Sequence, residues 1–339
     1  MKALVTGGGG FLGRRLVELL ISEGHEVRFL ARGHYPEVEA LGAQGLQVDL
    51  RDARALGSAV DGVDTVFHVA AKAGVWGPIE EYRAINVDGT RNLLDAAEKA
   101  GVKRFIYTST PSVVSYETPI ENGAQDLPYA ERYKTAYPQT KAEAERMVLQ
   151  SNGPSMATVS LRPHLIFGPG DPHLLPRFVE ATLKGRLRII GDGTNKVDFT
   201  YVDNAAWAQI DAAAALTGPD AVCAGKAYFI SNDEPVSLWG WFNGLLGTMG
   251  VAPIEKRLGL GTARFLFGAV EGLHKILPLG EPTVTSFLAD AMATSHWFDM
   301  EPAKRDLGYR IRVSMDDAVP PTAAYLRAHT VEPFQANAG

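Results

Sequence analysis

The chain has 339 residues, 46% hydrophobic and 21% charged, the balance of a globular protein rather than a disordered or fibrous one. A net charge of −6 gives no support for nucleic-acid binding. Cys223 is the one cysteine, which excludes an intrachain disulfide and cysteine-based metal clusters. No signal-peptide pattern follows Met1-Lys2 and no apolar run reaches the ~20 residues of a spanning helix, so a cytoplasmic protein is expected.

In chain order, Ala3-Leu4-Val5-Thr6 reads as a buried strand that runs into Gly7-Gly8-Gly9-Gly10-Phe11-Leu12-Gly13, and Leu16, Val17, Leu19 and Leu20 then carry a helical period. Gly7, Gly10 and Gly13 stand three apart. Without side chains they let the backbone approach a pyrophosphate, while the helix N-terminus offers Phe11 and Leu12 amides and a positive dipole end. The second strand, 26–31, ends in Arg32 with His34 after it, where a ribose-binding carboxylate is usual. A guanidinium there favours a 2′-phosphate, so NADP(H) is expected over NAD(H). A third strand, 45–48, leads to Asp49 and Leu50, placed to meet the adenine. A fourth, 63–71, ends in Ala70 and Ala71, small enough for close approach to a cofactor, and its His68 reads as a packed strand residue. A helix is expected over 82–100 and a strand over 102–108, closed by Thr108-Ser109-Thr110 at the sheet edge where ligands bind.

Tyr137-Pro138-Gln139-Thr140-Lys141 sets a phenol and an ammonium four residues apart, on one face of a helix. A phenol exchanges protons poorly near neutrality unless a nearby cation favours the phenolate, and Lys141 is the candidate cation. Pro138 is compatible with a helix that starts at Tyr137. One of the hydroxyls upstream, on Ser109, Thr110 or Ser112, is placed to hold a carbonyl. The strand 157–163 follows, and the repeated βα alternation predicts an α/β fold with a doubly wound parallel sheet. Beyond 168 the elements shorten: strands at 187–190, 197–202 and 226–230 and a helix over 205–215. A dinucleotide-binding domain over 1–168 and a smaller substrate lobe over 169–330, with some elements returning to the large domain, are therefore expected. The stretch 258–279 is unusually apolar, with Leu258, Leu260, Phe265, Leu266, Phe267, Val270, Leu273, Ile276, Leu277 and Leu279. It reads as core of the small lobe, as a cover over an alkyl-binding pocket, or as a contact with a partner or membrane surface.

With the glycine turn, the hydroxyl-bearing strand end and the Tyr137/Lys141 pair together, the chain resembles the extended short-chain dehydrogenase/reductases (Rossmann fold). Asp126-Leu127-Pro128-Tyr129-Ala130, the run from Arg162-Pro163 to Asp171-Pro172, and 197–204 are similar to the 3β-hydroxysteroid and sterol-4α-carboxylate 3-dehydrogenase branch. Ala70-Ala71-Lys72-Ala73-Gly74, 107–113, 225–232 and His296-Trp297 resemble the bacterial 2-alkyl-3-oxoalkanoate reductases of olefin biosynthesis. The resemblance implies Tyr137 as acid/base, Lys141 as its electrostatic partner and ribose anchor, and Thr110 as the carbonyl-binding hydroxyl, where many relatives have serine. Pro163 joins the cofactor set; Lys72, Ser112 and His164 are the candidates on the substrate side. The implied reaction is reduction of a long-chain β-keto acid, with a sterol 3-dehydrogenase, a nucleotide-sugar epimerase or dehydratase, or a non-catalytic NADP(H)-sensing module as rivals. A homodimer through helices 82–100 and 133–150 is expected, with association to pathway enzymes or a membrane as a further possibility.

Overall fold

The computed structural model describes residues 1–74, 76–114, 118–276, 282 and 285–334. Seven parallel strands form its central sheet: β1 (Lys2–Thr6), β2 (Glu26–Ala31), β3 (Gln44–Gln47), β4 (Thr65–His68), β5 (Arg104–Thr108), β6 (Ala157–Pro163) and β7 (Ala227–Ile230). Their order across the sheet is β7-β6-β5-β4-β1-β2-β3. Because β1 pairs with both β2 and β4, successive crossovers leave it in opposite directions and open a crevice at the C-terminal edge between them.

The side-chain alternation of the strands divides the core in two. Val5, Phe29, Phe67, Ile106 and Val159 pack on one face with Leu16, Val17 and Leu20 of α1 (Phe11–Ser22) and Ala205 and Ala212 of α4 (Val202–Ala215). Leu4, Leu30, Val66, Phe105 and Tyr107 turn to the other face, against Leu93, Leu94 and Ala97 of α2 (Gly89–Ala100) and Val148 of α3 (Ala136–Gln150). A sheet covered on both sides needs apolar residues at consecutive positions, which is why these strands read as unbroken apolar runs.

Two local expectations need correction. The helix expected over 82–100 begins at Ile79 and passes through a π-helical turn, Arg83–Asp88, before α2. The wider turn contains Asn86, whose amide is tied to the loop after β4 and to α3 (Nδ2 to Lys72 O 3.1 Å and to Thr140 Oγ1 3.0 Å). The single strand expected over 197–202 is two short ones, Lys196–Val197 and Thr200–Tyr201, in different sheets. Between them Asp198 takes hydrogen bonds from His164 and from the Phe298 backbone, which fixes the break. The apolar stretch after 258 is a helix, α5 (Leu260–Ile276), packed against α6 (Ser286–Ala293). Leu277 and Leu279 lie outside the described residues.

After Phe167 the chain adds Lys196–Val197, Val236–Ser237 and His296–Phe298 to the earlier strand Ile120–Gly123, making a four-stranded sheet, and sends β7 back to the edge of the main sheet beside β6. No helix among the described residues is long and apolar enough to cross a membrane.

Candidate active site

The glycine turn joins β1 to α1 at the crevice. Gly7 has φ +72°, and a Cβ on it would lie 3.0 Å from the Ala70 backbone, so the turn and the end of β4 meet at closest approach. A Cβ on Gly13 would come within 2.1 Å of the Gly7 carbonyl oxygen. Gly10 is the N-cap of α1 and has no side chain to cap it, so the first-turn amides of Phe11, Leu12 and Gly13 are open to an anion, with the helix dipole adding to their pull. This cradle of glycines and open amides fits a dinucleotide pyrophosphate.

Around it, Arg32 is exposed at the end of β2 and is in no ion pair among the described residues. His34 Nε2 lies 3.1 Å from Glu39 Oε2. Both Asp49 oxygens are taken by Arg51 (2.9 and 2.7 Å), whose guanidinium holds the carboxyl down at about 2. That leaves Asp49 paired on its own loop. Leu50 packs over Gly89. Ala70 and Ala71 leave β4 toward the site, with the Ala70 amide bonded to Thr6 Oγ1 (3.1 Å). Pro163 closes β6 opposite Ile230 of β7.

The catalytic candidates converge at the end of β5. Thr110, in extended conformation, caps the short 3₁₀ turn Pro111–Val113 by accepting from the Ser112 amide, and its Oγ1 is 3.0 Å from Ser112 Oγ. Its hydroxyl also adjoins the Tyr137 phenol and favours the phenolate. Ser109 is buried, so Thr110 and Ser112 are the two hydroxyls that meet on the phenol side. Lys141 is buried one turn further along α3. Its Nζ donates to Thr108 O (2.6 Å) and sits 4.1 Å from the centre of the Tyr107 ring.

The electrostatics differ from the expected cation-lowered phenol. Burial pushes Tyr137 up to about 12, only partly offset by the Thr110 hydroxyl. Burial also pushes Lys141 down to about 7 against the pull of Glu145. The reason is geometric: with the nucleotide site at its side, the ammonium turns to a carbonyl and a ring rather than to the phenol.

Two groups of site residues gave little sequence signal. Glu145, one helical turn beyond Lys141, is fully buried and accepts from Arg162 (2.6 Å), Tyr129 (2.7 Å) and Ser160 (2.9 Å). Its i, i+4 spacing from Lys141 was the available clue; nothing in sequence showed Arg162 of β6 as its partner. The second group is Tyr82 and Asn86. Tyr82 is buried, donates to Trp76 O (2.9 Å) and adjoins Tyr137, while Asn86 Oδ1 accepts from the Lys72 amide (2.7 Å). Lys72 itself pairs with Glu81 (2.8 Å) beside the Tyr82 ring. His164 is not open to a ligand through either nitrogen: Nδ1 meets Asp198 (2.5 Å) and Nε2 meets His296 (3.1 Å). Burial pushes His296 down to about 4, and its other nitrogen is taken by Ala291 O (2.8 Å). His68 is likewise internal, between Thr6 and Thr90.

α5 borders the same mouth. His274 makes an edge contact with Trp76, and Arg264 joins Lys134, just ahead of α3, through Asp290 (2.6 and 2.8 Å).

A parallel doubly wound sheet with a glycine cradle at its switch point and a Tyr/Lys/Thr cluster beyond β5 defines an oxidoreductase of the extended short-chain dehydrogenase/reductase type. The chain belongs to the 3-beta hydroxysteroid dehydrogenase/isomerase family, which it matches over residues 4–258. It is 49% identical to the 2-alkyl-3-oxoalkanoate reductase of Stenotrophomonas maltophilia over 322 residues, 94% of this chain and 97% of that one. It is 41% identical to the protein of the same name in Shewanella oneidensis over 326 residues, 94% and 84% of the two chains. In fold it is similar to the UDP-glucuronic acid 4-epimerase of Bacillus cereus in complex with NAD, with TM-score 0.75, 22% identity and coverage of 97% and 100%.

Proposed function

We propose that this protein reduces the 3-keto group of a long-chain 2-alkyl-3-oxoalkanoate to the 3-hydroxy acid, as a step of olefin biosynthesis. The observation that carries the reading is the Thr110 hydroxyl set beside the Tyr137 phenol at the sheet edge near the glycine cradle, in a chain 49% identical to a reductase of that name. A nicotinamide cofactor bound in the cradle supplies the hydride. Thr110 polarises the carbonyl by donating to its oxygen, and Tyr137 delivers its proton to that oxygen as negative charge develops there. A phenol held near 12 is fully protonated at neutral pH, the state that reduction requires. Lys141, one turn further along α3, stabilises the phenolate that is left once its ammonium turns from Thr108 O toward it.

In this reading residues 1–168 bind the cofactor and 169–330 form most of the substrate lobe. Arg32, standing at the strand end where a ribose-binding carboxylate is usual, selects NADP(H) over NAD(H). The protein works in the cytoplasm as a homodimer. Its family supports one alternative, oxidation of a 3-hydroxysteroid or 3-hydroxy-4-carboxysterol by the same residues in reverse. Turnover with NADPH on a panel of 2-alkyl-3-oxo acids, steroids, 4-carboxysterols and UDP-sugars tests the proposal; a preference for any class but the first rejects it.

A further inference from the structure

α5 presents an apolar stripe to solvent. Among the described residues five large apolar side chains are exposed, and three of them, Phe265 (75%), Leu266 (46%) and Leu273 (50%), stand on this one helix. Phe265, exposed Ala269 and Leu273 follow an i, i+4, i+8 line, and Leu266, seven before Leu273, flanks it on the same face. The opposite side of the helix is already in use. Ala263 is fully buried, Phe267 packs against the core, Glu271 accepts from Ser286 (2.8 Å) and His274 meets Trp76 at the mouth of the site. Among the described residues the outward stripe is therefore left unpacked, and the helix's one acid, Glu271, is held away from it.

The approach to α5 is basic. The strand pair Ile189–Ile190 and Arg257–Leu258 sets Arg188 beside Lys256, with Arg186 and Arg257 at either end. Arg188 and Arg257 donate to backbone carbonyls, of Gly185 and Leu187 and of Asp192, and none of the four cations is in an ion pair among the described residues. The acids nearby are Glu255 and Asp192. A cation cluster beside an exposed apolar helix face is unexpected in a chain of net charge −6 and is the combination that an anionic lipid surface attracts.

We propose that the outward stripe of α5 and the cations of the adjoining strand pair seat the protein on an anionic phospholipid surface. The inner side of the same helix borders the active-site mouth, so the seat lies where a long-chain substrate held in lipid would enter. That purpose rests on the proposed substrate class; the seating itself does not. A second copy is the poorer occupant, because a two-fold contact through this face would bring the two cation clusters toward each other.

The test is co-sedimentation of the full-length protein with vesicles of phosphatidylglycerol and phosphatidylcholine, and with phosphatidylcholine alone, at low and moderate salt. The expected result is binding to the anionic vesicles that falls with salt. The pairs Phe265→Ser/Leu266→Ser and Lys256→Glu/Arg257→Glu should each lower the partition by about tenfold or more. Both should retain the wild-type melting temperature and turnover of a short-chain soluble keto acid. No binding to anionic vesicles, or binding undiminished in both pairs of variants, overturns the proposal. A wild-type oligomer that falls apart in the Phe265/Leu266 pair, without vesicle binding, assigns the face to a second copy instead. Vesicle binding is read without turnover, so its failure is distinct from failure of the reductase reading.

Discussion

At the scale of single residues the site is a set of groups whose charge states are tuned by burial. Tyr137→Phe keeps the aromatic packing and removes the proton, so kcat should fall by about a hundredfold or more with cofactor affinity unchanged; wild-type turnover in this variant would show another donor. Lys141 has a pH signature. Its ammonium drops from an ordinary 10.5 to about 7 in the folded chain, so between those values the unfolded chain binds a proton that the folded one does not. Stability of the cofactor-free protein should therefore rise with pH across that window, the cost of burying the charge being full below about pH 7 and relieved above 10.5. Denaturation midpoints along a pH series should show that slope in the native protein and not in Lys141→Met. Arg32, exposed and out of any ion pair among the described residues, is available to a 2′-phosphate. Arg32→Asp should invert the NADPH-to-NADH ratio of kcat/KM, because a carboxylate repels the phosphate and accepts the ribose hydroxyl. An unchanged ratio removes Arg32 from cofactor selection.

At the scale of elements, α3 is locked to the sheet by Glu145, which has four donors around it, three from β6 and one from the Tyr129 loop, and no access to water. A buried pair of this kind adds little net stability over an apolar pair of the same shape, yet removing one partner strands the other charge. Glu145→Ala should thus cost about 3–5 kcal/mol in urea denaturation, while Glu145→Leu with Arg162→Met should recover most of it. Failure of the double variant to recover would mean that the hydrogen bonds of Tyr129 and Ser160 dominate. α5 divides at the same scale. Phe267 points inward and Phe265 outward, so Phe267→Ala should flatten a climb of kcat/KM with substrate chain length and Phe265→Ala should not. The climb itself should be steep, since six methylenes at about 0.8 kcal/mol each exceed a thousandfold in affinity.

At the scale of the molecule, the π turn at Asn86 connects three parts of the site. It links the Lys72 loop, α3 and, through Tyr82, the Trp76 segment that meets α5. The helical run from Ile79 to Ala100 and α3 lie side by side, joined by an exposed Arg83–Glu143 pair (2.8 Å), and are our proposed dimer face. Sedimentation velocity at micromolar concentration should give twice the chain mass; a monomer would reject this face. Exposed pairs like Arg83–Glu143 contribute about 0–1 kcal/mol, so apolar contact between copies would have to hold such a dimer together.

Local periodicity and steric necessity are properties of the sequence alone, and they determined most of the architecture. A strand, three glycines at a spacing of three and a helix leave few backbone paths, and a phenol and ammonium four apart share a helix face whatever surrounds them. The seven strands of the sheet and its longer helices were legible for that reason, to within a few residues at their ends, whereas the short helices Pro36–Glu39 and Ala53–Ala59 were not. Only the tertiary structure decided which hydroxyl meets the phenol, since Ser109 and Thr110 are adjacent in sequence and turn to opposite sides at the end of β5. It likewise decided the sign of the two shifts: Lys141 was expected to lower the phenol, whereas burial raises the phenol and lowers the ammonium, because desolvation depends on what packs around a residue, not on its neighbours in the chain. His164 shows the same limit, a polar residue beside the site whose two nitrogens are taken by Asp198 and His296 from 34 and 132 residues away. Such partners are brought together by the fold, and no local pattern records them.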